Sequence, residues 1–238
     1  MDDAVSGDNS LQPLFLALLS DMAKDFQDNG NYGLAEMLRR ELTERKPEDA
    51  SYQLFLAEVL AAQKSYDEAL ECCRKVLHQN CESSAAADLI DAIYREIQDA
   101  DGYVREWEAL CAACPESLEP WMRLAGAFEA HADIEGAYNV YQKILERFPA
   151  ASLAKLRYGI LVALREGYDK GRPLMDEAAA DLPELSAEMA AGLARIAEHE
   201  GRNGNRGKAE SLYREAISLD SGNYGPYVLL GELLMEEG

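Results

Sequence analysis

One interval, 34 residues, recurs along this chain as far as Pro183. Proline stands at Pro115, Pro149 and Pro183, each 34 after the last, and Pro47 lies two intervals before Pro115, with Cys81 in the place between. Small residues keep the same step at Ala23, Ala57, Ala125 and Gly159, and again at Ala35, Ala69, Ala137 and Gly171. Large apolar residues keep it at Phe26, Leu60, Tyr94, Phe128 and Val162, and at Leu42, Val76, Leu110, Ile144 and Ala178. A repeat of this kind restricts the chain to stacked copies of one small unit that buries its apolar side against its neighbours.

Each unit reads as two helices. Trp121, Leu124, Ala125 and Phe128 have helical spacing, and so do Ala137, Tyr141, Ile144 and Leu145. Turns fall between them at Gly30-Asn31, at 65–67 and at the glycine-rich stretch 201–207. Proline ends the second helix, because it cannot continue the hydrogen-bond ladder. The small columns mark where two helix axes cross at close range, with large residues filling the space on either side. In the third unit Asp91 and Tyr103 occupy the small positions, which predicts a wider or tilted pair there. After Pro183 the register slips from 34 to 38, and Ala197, Ala209, Tyr213 and Ala216 resume the pattern. A longer turn around 185–189 accommodates the four extra residues. No segment shows the alternation of a strand.

The fourth unit holds the fullest form of the pattern: Trp121-x-x-Leu124-Ala125-x-x-Phe128, then Ala137-x-x-x-Tyr141, then Pro149. This resembles the tetratricopeptide repeat, over nearly the whole chain. The resemblance implies an all-α fold, a right-handed α-solenoid superhelix in which the first helix of each pair lines a concave groove. On this reading residues 11–238 are one domain, with repeats near 16–49, 50–83, 84–117, 118–151, 152–185 and 190–223 and a half repeat at 224–238. Residues 1–10 are an acidic, mobile N-terminus, and Ser10 caps the first helix, with Pro13 in its first turn.

Charge narrows the partners. The chain has 23 Lys and Arg against 44 Asp and Glu, a net charge of −21. Such a surface repels phosphate backbones and anionic headgroups, which excludes nucleic acid and membrane surfaces as main partners. The longest early apolar run, 14–19, is too short to span a bilayer. The start Met1-Asp2-Asp3 is acidic where a secretory leader needs positive charge, and cytoplasmic location is the expectation.

No motif points to catalysis, a metal or a cofactor. Cys111-x-x-Cys114 is half of a zinc or redox signature, without a second pair of ligands or a preceding strand. Five cysteines, an odd number, favour free thiols in a reducing compartment, with no bond between Cys111 and Cys114. The segment 97–108 nearly fits a calcium loop through Asp99, Asp101, Gly102 and Glu108, but Ile97 cannot coordinate, and an inter-helix turn is the better reading. The histidines, His78, His131 and His199, are isolated in sequence. The chain is therefore expected to be non-enzymatic.

Function is expected in the groove that the resemblance implies. Projected on the repeat, the partner-binding positions include Leu54, Glu58, Met122, Glu129, Leu153, Leu156, Ile160 and Leu164. The fifth unit is apolar at every groove position. That means either burial within the repeats or a hydrophobic landing site for a partner segment. Lys24 and Arg95 are the only bases projected into the groove, against six carboxylates, so the Lys-Asn-Arg clamp of chaperone-binding members is missing. The expected partner is a protein or peptide, apolar with basic or neutral character. Two alternatives stand beside this module: an N-terminal recruitment or regulatory part of a larger enzyme such as a glycosyl- or sulfotransferase, suggested by the stop in mid-repeat, and a self-assembling scaffold. In the half repeat, Tyr227, Leu230 and Leu234 are expected to pack inward, leaving Val228, Leu229 and Leu233 for homo-oligomer contacts.

Overall fold

The computed structural model describes residues 11–235, which form thirteen α-helices, one 3₁₀ turn and no strand. The pairs are α1 (Leu11–Asp28) with α2 (Tyr32–Arg45), α3 (Ala50–Ala62) with α4 (Tyr66–Gln79), and α5 (Ser84–Ile97) with α6 (Ala100–Ala113). They continue as α7 (Leu118–Ala130) with α8 (Ile134–Arg147), α9 (Ser152–Glu166) with α10 (Tyr168–Asp181), and α11 (Ser186–Arg202) with α12 (Arg206–Leu219). Helix α13 (Gly225–Met235) follows. Residues 1–10, including the expected Ser10 cap, lie outside the described range. The chain divides into two compact units, 1–123 and 124–238.

The small columns sit where the repeat predicts. Ala23, Ala35, Ala57 and Ala69 in the first unit, and Ala125, Ala137, Ala197 and Ala209 in the second, are all fully buried. The crossing between α9 and α10 is close. A β-carbon on Gly171 would lie 2.2 Å from the Gly159 carbonyl oxygen and 2.6 Å from the Ala163 β-carbon. The third repeat differs, as its residues require. The Tyr103 hydroxyl donates to Asp91 at 2.7 Å, so a whole tyrosine side chain stands between α5 and α6. Burial and that carboxylate together push the Tyr103 hydroxyl pKa well above its ordinary value.

The turns obey the same interval. Gly30, Lys64, Gln98 and Ala132 all have positive φ, at 74°, 64°, 59° and 56°, and lie 34 residues apart. Gly204 plays the same part in the sixth pair, at 82°. The amide of the next residue, three past the helix, then reaches back to it, as Asn31 does to the Phe26 carbonyl at 2.8 Å and Ser65 to Leu60 at 2.9 Å. Asn31, Asp99 and Asp133 cap the following helices with their side chains. Asp99 accepts from the Gly102 amide at 2.8 Å, which agrees with the turn reading of 97–108. Left-handed backbone is strained for a residue with a β-carbon. Lys64→Gly is therefore expected to stabilise the first unit by about 0.5–1 kcal/mol. Denaturant unfolding would show this as a higher midpoint at unchanged slope.

Two expectations about chain layout are corrected. The four extra residues after Pro183 do not lengthen a turn. Pro183–Leu185 make a 3₁₀ turn and α11 begins at once at Ser186, so the insertion extends the helix. The run Ser186-Ala-Glu-Met-Ala-Ala contains good helix formers and no breaker. The cysteines are not all free. Cys81 and Cys114 form a disulfide with Cα atoms 5.9 Å apart, while Cys72, Cys73 and Cys111 are buried thiols. The two paired cysteines lie just beyond the ends of α4 and α6, which meet closely enough for the bond.

Candidate functional site

In the first unit the predicted binding positions that stay open are on α3. Leu54 and Glu58 lie one helical turn apart and both are half-buried. Met122 on α7 is also half-buried. Beneath α3 lies a residue that the repeat pattern does not reveal. Arg39 on α2 is 3% exposed, its guanidinium lies 4.7 Å over the Phe55 ring, and its Nη1 donates to Ser20 at 3.2 Å. Its Nε is buried without a partner. The Arg39 charge acts on Glu58 but does not neutralise it, since the pair is not within ion-pair distance. Burial raises the Glu58 pKa above the usual carboxylate value, and Arg39 opposes this less strongly.

Sequence projection overstated the free acidity. Arg123 on α7 collects three carboxylates: its Nε donates to Glu119 at 2.8 Å, its Nη2 to Asp88 at 2.7 Å, and its Nη1 to Asp91. Nearby, the buried Glu106 accepts both Nε and Nη2 of Arg74 at 2.8 Å, and the Tyr94 hydroxyl at 3.1 Å. Burial and Glu106 together push Tyr94 up to about 12. Only Glu119 has its arginine in local sequence, four residues on; Asp88, Asp91 and Glu106 meet theirs from two helices away, which the stacking of helices alone exposes. Glu58 remains the half-buried acid without an ion-pair partner on α3.

The raised pKa of Glu58 has a sign that can be tested. A carboxylate that ionises less readily folded than unfolded weakens the fold above its unfolded pKa and costs nothing below it. Glu58→Gln is thus expected to raise the melting temperature at pH 7. The gain should vanish as pH falls below about 4.3, the ordinary glutamate value. A melting series of both proteins from pH 7 to pH 3.5 measures this.

In the second unit the expected landing site is overturned. Leu156 is 0% and Ile160 4% exposed, and both belong to the core with Met189, Leu193 and Ile196 of α11. Leu153 and Leu164 pack against the same core, half-buried. The reason is a hole on α11. A β-carbon on Gly192 would lie 2.3 Å from Ile160 Cδ1, so the missing side chain is the space that Ile160 fills. Helix α9 is apolar on two sides because α10 covers one and α11 the other. Glu129 accepts Arg157 Nη1 at 3.2 Å and is not a free acid.

Helix α13 is rotated from the expectation. Leu229, Leu230 and Leu233 pack on the core of the second unit, and the Leu233 carbonyl accepts Arg206 Nη2 at 2.9 Å. Tyr227 and Leu234, expected inside, are 45% and 40% exposed. Of the three residues assigned to self-association, only Val228 is exposed, at 58%, with Tyr224 and Met235 on the open surface. Leu233 settles beside Gly201 of α11, where an added β-carbon would lie in ordinary contact with its Cδ1 at 3.7 Å.

Among the described residues, no helix is long and apolar enough to cross a membrane, and no group of three or more His, Cys, Asp or Glu side chains is placed to hold a metal ion.

Comparison with known proteins supports the repeat architecture. The tetratricopeptide repeat family matches residues 20–88. No curated protein matches the chain. Among solved structures the chain is similar to YrrB, described as a TPR protein with an unusual peptide-binding site. That match has a TM-score of 0.53 and 16% identity, and covers 80% of this chain and 96% of that one. It also aligns with MamA from Desulfovibrio magneticus RS-1 at a TM-score of 0.46 and 16% identity, over 71% of this chain and 96% of that one. At these identities the likeness is one of fold.

Proposed function

We propose, from the premise that the chain is built of tetratricopeptide repeats, that it is a non-catalytic interaction module. It holds a partner peptide against the first helices of its pairs. The observation that carries this is the pair Leu54 and Glu58: an apolar side chain and an unneutralised, half-buried carboxylate one turn apart. A partner segment that sets a Lys or Arg against Glu58 and an apolar side chain against Leu54 relieves both the desolvated charge and the exposed hydrocarbon. Met122 extends this surface in the first unit; Leu153, Leu164 and Glu129 give the second unit a smaller half-buried share. The peptide-binding description of YrrB, which has this fold, supports a peptide as the class of partner. A cytoplasmic setting belongs to the same reading, although the argument from free thiols falls with the Cys81–Cys114 bond.

Selection of random peptides on the purified chain tests this. Enriched peptides should carry a basic residue beside an apolar one, and Glu58→Lys should weaken their binding by about tenfold or more. Selected peptides without basic residues, or equal binding by Glu58→Lys, would refute the reading.

A second reading, self-assembly through α13, is favoured by one observation: Val228 and Met235 on that helix are 58% and 80% exposed, and Tyr224 just before it is 79% exposed. Light scattering over a range of concentrations distinguishes it, because the module reading requires no change of mass.

A further inference from the structure

Two peculiarities of this chain fall on the same repeat. Cys81 follows α4 and Cys114 follows α6, 33 positions later, so the segment between them takes in α5 and α6, the whole third pair. This is the pair whose crossing is filled by Tyr103 and Asp91 where the other crossings use alanine or glycine. A close apolar crossing is lost there. The pair still buries Ile90, Ile93, Trp107 and Leu110, but polar contacts take up part of its hold: Tyr94 to Glu106 within the pair, and Arg74 to Glu106 and Arg123 to Asp91 across to the neighbouring helices. The bond also occupies the proline column, since Cys81 stands where Pro115 and Pro149 end the equivalent helices. We infer that Cys81–Cys114 is a redox-controlled staple for the third repeat: closed, it holds α5 and α6 onto α4; opened by a small thiol, it lets them open locally while the second repeat stays packed.

The two sulfurs are unequal, which sets the course of the exchange. Cys114 is 3% exposed, whereas Cys81 is partly open to solvent. A small thiolate attacks the Cys81 sulfur, the disulfide breaks, and its electron pair leaves on the Cys114 sulfur, which takes up a proton. That new thiol has the Leu77 carbonyl 3.6 Å away as an acceptor. A second small thiolate attacks the small-molecule sulfur of the mixed disulfide, and Cys81 leaves and is protonated. The balance is one protein disulfide and two small thiols giving two protein thiols and one small disulfide. In a reducing compartment disulfides are transient or redox-sensing, which is the behaviour expected of such a staple. On the groove reading above, α5 also carries Asp88 and Arg95, so the same staple governs part of that surface.

Hydrogen exchange with mass spectrometry on the full chain tests this and needs no partner, so its failure would leave the groove reading intact. The air-oxidised protein should yield a Cys81–Cys114 linked peptide. Adding reduced glutathione should speed exchange of the amides in 84–113 by about tenfold or more, with those in 50–79 nearly unchanged. Cys81→Ser should show the fast exchange with or without thiol, and Cys111→Ser should keep the thiol response of the parent. Absence of the linked peptide, exchange in 84–113 indifferent to thiol, or equal acceleration along the whole chain would overturn the proposal.

Discussion

Ile160→Asp should unfold the second unit rather than merely blunt a binding surface. Ile160 is 4% exposed and its side chain fills the space over Gly192. An aspartate there would leave a carboxylate in hydrocarbon and a void where the isoleucine branches were. Neither Met189 nor Leu193 offers it a hydrogen bond. The expected loss is about 4 kcal/mol or more, in the range that marks an unpaired charge in a core. Circular dichroism should show a lower melting temperature and lost helicity at 37 °C. Intact helicity and an unchanged midpoint would mean that the side chain is open to solvent after all.

Gly171→Ala is expected to reverse an ordinary rule. In a helix interior alanine is usually better than glycine by about 0.5–1 kcal/mol. Here the added methyl meets the Gly159 carbonyl oxygen at 2.2 Å and the Ala163 β-carbon at 2.6 Å, and neither atom can swing aside. Helices α9 and α10 must separate, which costs about 1–3 kcal/mol through lost packing. Gly33→Ala is the control. Gly33 also lies in a helix, α2, and its β-carbon would meet nothing within 4 Å, so alanine there should be neutral or stabilising. Stabilisation by both substitutions would contradict the close crossing.

These two sites show what could be seen in the sequence and why the rest could not. Gly159 and Gly171 declared the crossing through the 34-residue interval, because a position that must be small in every copy reveals itself by repetition. The same interval foretold the wide third pair from Asp91 and Tyr103. It could not tell which way the apolar residues of α9 point. The hole that receives Ile160 is Gly192, 32 residues later and on the far side of the register slip. The left-handed turn residues were legible at Gly30 and Gly204, but Lys64, Gln98 and Ala132 take that conformation from their place in the repeat, against their own preference. Cys81 was visible as a gap in the proline column. Its bond to Cys114 depends on the ends of α4 and α6 meeting, which is a property of stacking and not of either residue. Arg39 and Arg123 escaped for a similar reason: Arg39 reaches across to Phe55 and Ser20, and Arg123 to Asp88 and Asp91, all on other helices.

The partner surface on α3 can be located directly. A photo-crosslinking amino acid placed at position 54, at position 122, and at the exposed Met37 of α2 would locate a peptide selected on the purified chain. The account predicts crosslinks from positions 54 and 122, both reduced by Glu58→Lys, and none from position 37. Crosslinks from position 37 alone, unaffected by Glu58→Lys, would contradict it.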